Sequence, residues 1–242
     1  MSIQDDIARW LRDYAAAAGA DGYVMGLSGG VDSATSAVLA VKAVGAHAVL
    51  AALLPCHSQA QDACLALEVA NTFGIPTVSV DLDGAFDALM GNLPETEHPL
   101  AAANIKPRLR MVSLYYLAQT HNYLVLGSGN KTELMVGYFT KYGDGGVDVL
   151  PLGDLTKTEV WDLARALGVP TEVVERPPSA GLWPGQTDEG ELGITYRELD
   201  QVLLAIEAGE TEGVAPATLA KVQGLIASSE HKRAMPPIFK RC

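Results

Sequence analysis

Y-V-M-G-L-S-G-G-V-D-S, residues 23–33, leaves a short apolar run through two glycines flanked by serines and an aspartate, with no lysine in the loop. Glycines at 29 and 30 let the backbone turn tightly and bring bare N–H groups close to a ligand. A helix beginning just after them offers its positive end to an anion, and Ser28 and Ser33 add hydroxyl donors. The stretch therefore reads as strand, phosphate cradle, helix. It lacks the G-x-x-x-x-G-K-[ST] spacing of a Walker loop and the G-x-G-x-x-G of a dinucleotide fold. The Asp32 carboxylate would repel phosphate unless a cation lay between them, so Asp32 predicts magnesium.

Working outward, Tyr23–Leu27, Ala48–Leu54, Thr77–Val80 and Tyr123–Leu126 are continuous apolar runs, the pattern of strands covered on both faces. Helical stretches at 33–43, 58–73 and about 106–120 fall between them, with a polar loop at 91–103. This alternation predicts an α/β fold: a doubly wound, mainly parallel, Rossmann-like sheet with helices on both faces. Such sheets bind ligands outside the carboxyl ends of their strands, here 28–33, 55–59, 81–84 and 127–133. Farther on, Tyr138–Asp148 is a glycine-rich charged loop, and T-K-T-E at 156–159 is a capping box that opens a helix running to Leu167-Gly168. Residues 170–193 have little periodicity and read as a functional lid or a disordered segment. Helices at 196–208 and 215–228 and a basic tail, His231-Lys232-Arg233, complete the chain. The expected organisation is a single domain over 1–242: an N-terminal helix (1–20), a core (21–169), a substrate loop (170–195) and C-terminal helices with a tail (196–242).

Composition removes several classes of function. The 242 residues carry 17 basic and 29 acidic side chains, a net charge of −12, which argues against nucleic-acid binding. Cys56, Cys64 and Cys242 have no metal spacing, and their odd number fits a reducing compartment. The N-terminal M-S-I-Q-D-D has no basic n-region, and no apolar run approaches the roughly 20 residues of a spanning helix. These features predict a soluble cytoplasmic protein without a membrane partner.

The string S-G-G-V-D-S resembles the pyrophosphate-binding loop of the N-type ATP pyrophosphatases, which cleave ATP between its α and β phosphates. Further motifs resemble the NAD synthetase family within that group: G-S-G-N-K-T-E at 127–133, G-Y-F-T-K-Y-G-D-G-G-V-D at 137–148, P-S-A-G-L-W at 178–183, Q-x-D-E-x-E-L-G at 186–193 and H-K-R at 231–233. The resemblance spans about residues 22–236, in order. It implies adenylation of the carboxylate of nicotinic acid adenine dinucleotide by ATP, then attack by ammonia. It further implies ATP contacts from the loop residues Gly26, Ser28, Gly29, Gly30, Val31, Asp32 and Ser33, and from Gln59, Ser128, Lys157 and Ser179. Asp32 and Glu133 match the magnesium positions. Asn104, Arg108, Lys141, Asp144, Asp148, His231 and Lys232 match the dinucleotide site, with Asp144 and Lys157 the catalytic pair. Lys157 would supply the charge the first loop lacks. Arg110 is equally consistent with a ligand contact and with a solvent-facing side chain. The family forms homodimers, and an N-terminal helix with Ile3, Ile7, Leu11 and Tyr14 on one face suits that or intramolecular packing.

Only about 20 residues precede the first strand, so the resemblance points to the ammonia-dependent branch rather than to the glutamine-using members, which carry an N-terminal glutaminase. Two departures stand out. Leu53-Leu54-Pro55 replaces a segment in which several relatives place a basic residue, and Pro107 stands where a small residue is expected. Two other readings compete. A tRNA thiolase would need catalytic cysteines and a basic face, and this chain has neither. A non-catalytic nucleotide sensor would have little reason to keep both Asp32 and Glu133.

Overall fold

A computed structural model describes residues 2–183 and 185–241; Cys242 lies outside them. Four parallel strands, β1 (Gly22–Gly26), β2 (Val49–Leu53), β3 (Thr77–Ser79) and β4 (Tyr123–Val125), lie in the order β3-β2-β1-β4. Tyr23 pairs with Val49 on one side of β1 and with Leu124 on the other. The chain winds outward from β1 through β2 to β3 and then returns to β4 beside β1. The reversal between β1 and β4 is the switch point at which such sheets open a crevice.

Alternation along β1 distributes the core. Tyr23 and Met25 face one layer with α1 (Ile3–Ala18), α2 (Val31–Val44) and α3 (Ala60–Phe73), while Val24 faces the other. That second layer holds α4 (Asp83–Met90) and α6 (Ile105–His121), with Leu114 and Ala118 of α6 against Val24 and Val125, and α5 (Pro99–Ala103) lies against α6. Burial on both faces explains why β1 and β2 read as unbroken apolar runs, whereas Thr77 and Ser79 of the edge strand β3 stay exposed. Ala34, Ala37 and Ala40 are wholly buried, and such small side chains let α2 pack tightly into the first layer.

After β4 come α7 (Lys131–Val136), α8 (Lys157–Ala166), α9 (Thr171–Glu175) and α10 (Asp188–Leu192), then α11 (Tyr196–Ala208) and α12 (Pro216–Arg233). The last two make a third apolar cluster with Val136 of α7 and Leu192 of α10, and Trp161 of α8 links it to the first. The C-terminal helices thus brace α7 and α8 rather than the sheet.

The structure corrects several expectations. The polar loop at 91–103 closes in α5, which Pro99 starts at a position where no N–H is needed. Residues 170–193 contain α9 and α10 and are tied down across the molecule: Arg176 Nη2 donates to Asp62 Oδ1 at 2.5 Å, and Lys106 Nζ donates to the Leu182 carbonyl at 3.0 Å. His231, Lys232 and Arg233 form the last turn of α12, not a tail, because Arg233 donates back to the Ile226, Leu134 and Met135 carbonyls. Pro107 is accommodated in the first turn of α6, which begins at Ile105.

Candidate active site

The loop after β1 is shaped by one glycine and held by two serines. Gly29 has φ +80°, and a Cβ there would lie 2.6 Å from the Asp62 carbonyl oxygen on α3, so only glycine fits. Ser33 Oγ donates to the Gly30 carbonyl at 2.9 Å and accepts from Ser28 N at 3.2 Å. Gly30 caps α2 without any side-chain bond, and the first backbone N–H in α2 with an acceptor is that of Ala34. Among the described residues the N–H groups of Val31, Asp32 and Ser33 have no protein acceptor, and this end of α2 opens on a cavity of about 580 Å³. An exposed helix N-terminus with free donors is an anion site.

Behind that end lies a buried charge cluster. Asn130 caps α7, and its Nδ2 donates to Asp32 Oδ1 at 2.8 Å, which ties α7 to α2. Lys157, the first residue of α8 and 1% exposed, donates from Nζ to Asp32 Oδ2 and lies 3.6 Å from Glu133 Oε1. Its ammonium also sits 5.0 Å from the centre of the Tyr196 ring. Burial alone would lower the Lys157 pKa, but Asp32 and Glu133 outweigh it and hold the ammonium above the ordinary lysine range. Burial, reinforced by Asp32, pushes the Glu133 carboxyl up to about 8. Asp188, bonded by the Tyr196 and Tyr138 hydroxyls at 2.9 and 3.1 Å, is raised mainly by its own burial.

Three acids therefore face one lysine, an imbalance that a divalent cation would correct. Asp32 and Glu133 are hard oxygen donors at the cavity wall. Among the described residues no group of three or more His, Cys, Asp and Glu side chains forms a metal cage. Two carboxylates with the remaining ligands left to water and phosphate fit magnesium, which keeps its waters and rarely uses all-protein cages.

The structure brings most of the remaining candidates to the same cavity. Gly26, Gln59, Ser128 and Ser179 line it, as do Asn104, Asp144 and Lys232. Asn104 Oδ1 accepts from Thr140 Oγ1 at 2.8 Å, and Asp144 accepts from Thr140 N at 2.9 Å. Burial raises the Asp144 carboxyl, opposed mainly by that Thr140 N–H, and burial lowers the Lys232 ammonium, opposed by Asp144. Arg110 also lines the cavity, where Nε donates to the Leu54 carbonyl at 3.0 Å and Nη2 to Ser58 Oγ at 3.1 Å. It thus places a guanidinium from α6 at the exit of β2, beside the segment whose basic residue is missing.

Arg108, Lys141, Asp148 and His231 do not line this cavity. Arg108 makes long contacts of 3.4 Å to the Lys141 carbonyl, and Lys141 Nζ donates to the His231 carbonyl at 2.5 Å, so these three gather on a separate rim. Asp148 is occupied structurally, accepting from Val125 N at 2.8 Å and from the Tyr115 hydroxyl at 3.0 Å. Asp188, Gln186 and Glu191 carry no role readable from the sequence, although they lie in the Q-x-D-E-x-E-L-G motif at 186–193. In the structure Gln186 donates to Glu191 at 2.7 Å, and the Tyr138 hydroxyl joins Glu191 at 2.5 Å, fastening the 170–193 segment over the cavity.

The sequence profile of the NAD synthase family matches residues 3–236. The NH(3)-dependent NAD(+) synthetase of Carboxydothermus hydrogenoformans is 48% identical over 97% of this chain and 95% of its own. Among solved structures, NMN synthetase from Francisella tularensis superposes with a TM-score of 0.89 at 38% identity, covering 98% of each chain. The NH3-dependent NAD synthetase from Campylobacter jejuni, in complex with the nitrate ion, gives 0.86 at 26% identity, again over 98% of each chain.

Proposed function

The chain belongs to the NAD synthase family, and from that premise we propose that it amidates nicotinic acid adenine dinucleotide with ammonia at the expense of ATP, giving NAD, AMP and pyrophosphate. It is a ligase that forms an amide bond and completes NAD biosynthesis, with ATP as co-substrate. The nicotinate carboxylate attacks the α phosphorus, pyrophosphate leaves, and ammonia attacks the acyl-adenylate. No side-chain nucleophile is required, so positioning and charge neutralisation carry the catalysis.

Each group has a task that its surroundings suit. The open N–H groups of α2, with Ser28 and Ser33, hold phosphate oxygens. Lys157 meets the charge that accumulates on departing pyrophosphate. Asp32 and Glu133 would hold magnesium, which when bound neutralises phosphate oxygens. Asp144, raised by burial, accepts a proton as ammonia attacks. Gln59 and Arg110 border the adenosine end, and the rim of Arg108, Lys141 and His231 takes the part of the dinucleotide that extends beyond the cavity. We read the protein as a cytoplasmic homodimer, as the family resemblance implies; no helix among the described residues is long and apolar enough to cross a membrane.

The observation that carries this reading is an open helix N-terminus facing the cavity, backed by a buried Lys157 between Asp32 and Glu133. The likeness to NMN synthetase favours a second reading, the same amidation on nicotinic acid mononucleotide. Purified protein with ATP, magnesium and ammonium should convert the dinucleotide to NAD, followed by a coupled dehydrogenase. A higher kcat/KM with the mononucleotide would establish the second reading instead. No amide from either substrate, with no substrate-dependent pyrophosphate, would sink both.

A further inference from the structure

The N-terminal turns of α7 and α8 carry Glu133 and Lys157, yet the side chain that joins them comes from α11. Asp200, 2% exposed, accepts from Thr132 Oγ1 at 2.5 Å through one carboxylate oxygen. The other oxygen accepts from Thr158 N and Thr158 Oγ1, both at 2.8 Å. Thr132 immediately precedes Glu133 in α7, and Thr158 immediately follows Lys157 in α8. Thr132 Oγ1 in turn accepts from Lys157 N at 3.0 Å. One buried carboxylate, through one hydroxyl, thus ties together the backbones beside both charged residues.

Nothing about Asp200 itself reaches the cavity, so direct contact with substrate is not its task. Its position on α11 is telling: Tyr196, one turn earlier, places its ring beside the Lys157 ammonium. The same helix face therefore seats the side chain of Lys157 and pins the backbone that carries it. A buried carboxylate that accepts three hydrogen bonds, one from a helix N-terminus, is well compensated, and its removal leaves Thr158 N–H without an acceptor. Groups arranged around transferring phosphates lose efficiency steeply with small displacements, about 100-fold for a shift near 1 Å.

We infer that Asp200 is a positioning residue for the reaction, setting Lys157 against Asp32 and Glu133 through Thr132 and Thr158; this rests on the role proposed for Lys157. The test compares Asp200→Asn, Thr132→Val and Thr132→Ser with wild type, using kcat and the ATP KM normalised to folded protein by thermal melting. Asp200→Asn and Thr132→Val should each lower kcat about 10- to 100-fold, the range seen for outer-shell partners, with a much smaller change in ATP KM. Thr132→Ser, which keeps the hydroxyl, should restore most of the rate, and the Asp200→Asn/Thr132→Val double variant should lose less than the product of the singles. Wild-type turnover measured alongside separates failure of this inference from failure of the reaction itself. An unchanged kcat per folded molecule in Asp200→Asn or Thr132→Val, or equal losses in Thr132→Ser and Thr132→Val, would overturn the proposal. Should Asp200→Asn fail to fold, the Thr132 pair decides alone.

Discussion

Two helices begin at the same cavity and end their orphan N–H groups in opposite ways. At α8 every one of the first three donors is taken by the protein: Lys157 N by Thr132, Thr158 N by Asp200, and Glu159 N by Thr156, at 3.0, 2.8 and 3.4 Å. At α2 none of the first three has a protein acceptor among the described residues. The closed end spends its donors on rigidity and so holds a buried lysine in place. The open end leaves its donors for a ligand. A phosphate loop without its own lysine works if a second helix delivers one, and a delivered lysine is useful only if its helix is fixed.

The largest effect should come from removing what the closed end delivers. Lys157→Met leaves Asp32 and Glu133 facing each other with no cation, so unfolding free energy should fall by about 3–5 kcal/mol. Turnover of the folded fraction should drop about 100- to 1000-fold, as for loss of a group that stabilises transition-state charge. Steady-state NAD formation with chemical denaturation checks both; near wild-type kcat would show that α8 has a structural task only.

Asp32 is the joint between the two ends, since it lies in the first turn of α2 and accepts from Lys157 of α8 and Asn130 of α7. Asp32→Asn keeps the shape and an acceptor for Asn130, and Lys157 keeps Glu133. The variant should fold yet require at least about tenfold more magnesium for half-maximal rate, by the weakening expected when a carboxylate ligand becomes an amide. Titrating magnesium against rate tests this, and an unchanged midpoint would remove Asp32 from the metal assignment.

Gly29→Ala attacks the open end through the backbone. The left-handed φ costs about 1–2 kcal/mol for alanine, and the 2.6 Å approach to the Asp62 carbonyl forces α3 or the loop to move. Melting temperature and ATP binding should fall together. Loss of stability with intact ATP affinity would mean that the loop geometry is not what holds phosphate.

How legible this was in sequence depended on range. The four apolar runs, the T-K-T-E capping box and the S-G-G-V-D-S turn are local signals, and the structure has strands, an α8 start and a turn at those places. The short helices α9 and α10, five residues each, fell in a stretch rich in proline, glycine and acids, too short for periodicity to register. Lys157, Asp32 and Glu133 were singled out by motif, but their mutual contact joins residues 125 positions apart and depends on α7 and α8 being braced from outside. Nothing in the sequence marks Asp200, and Arg110 reads equally as a ligand contact or a solvent-facing side chain, for the same reason: their partners are 42 to 68 and 52 to 56 positions away, and no local pattern marks such pairs.

The smallest effects give the sharpest test of the contrast. Thr156→Ala removes the side-chain cap of α8, worth about 1 kcal/mol, from an end that has no donor left for a ligand. Ser33→Ala removes a hydroxyl from the open loop, where the loss of its bonds to Gly30 and Ser28 costs about 0.5–1.5 kcal/mol without ligand. A ligand that binds the native state stabilises it by an amount that grows with the logarithm of its concentration over Kd, so weaker binding shows as a smaller rise in melting temperature. The deficit of Thr156→Ala should therefore be the same with and without saturating ATP, whereas that of Ser33→Ala should widen when ATP is added. Equal widening in both variants would mean that the two helix ends serve the nucleotide alike, and the division between a closed, positioning end and an open, binding end would fall.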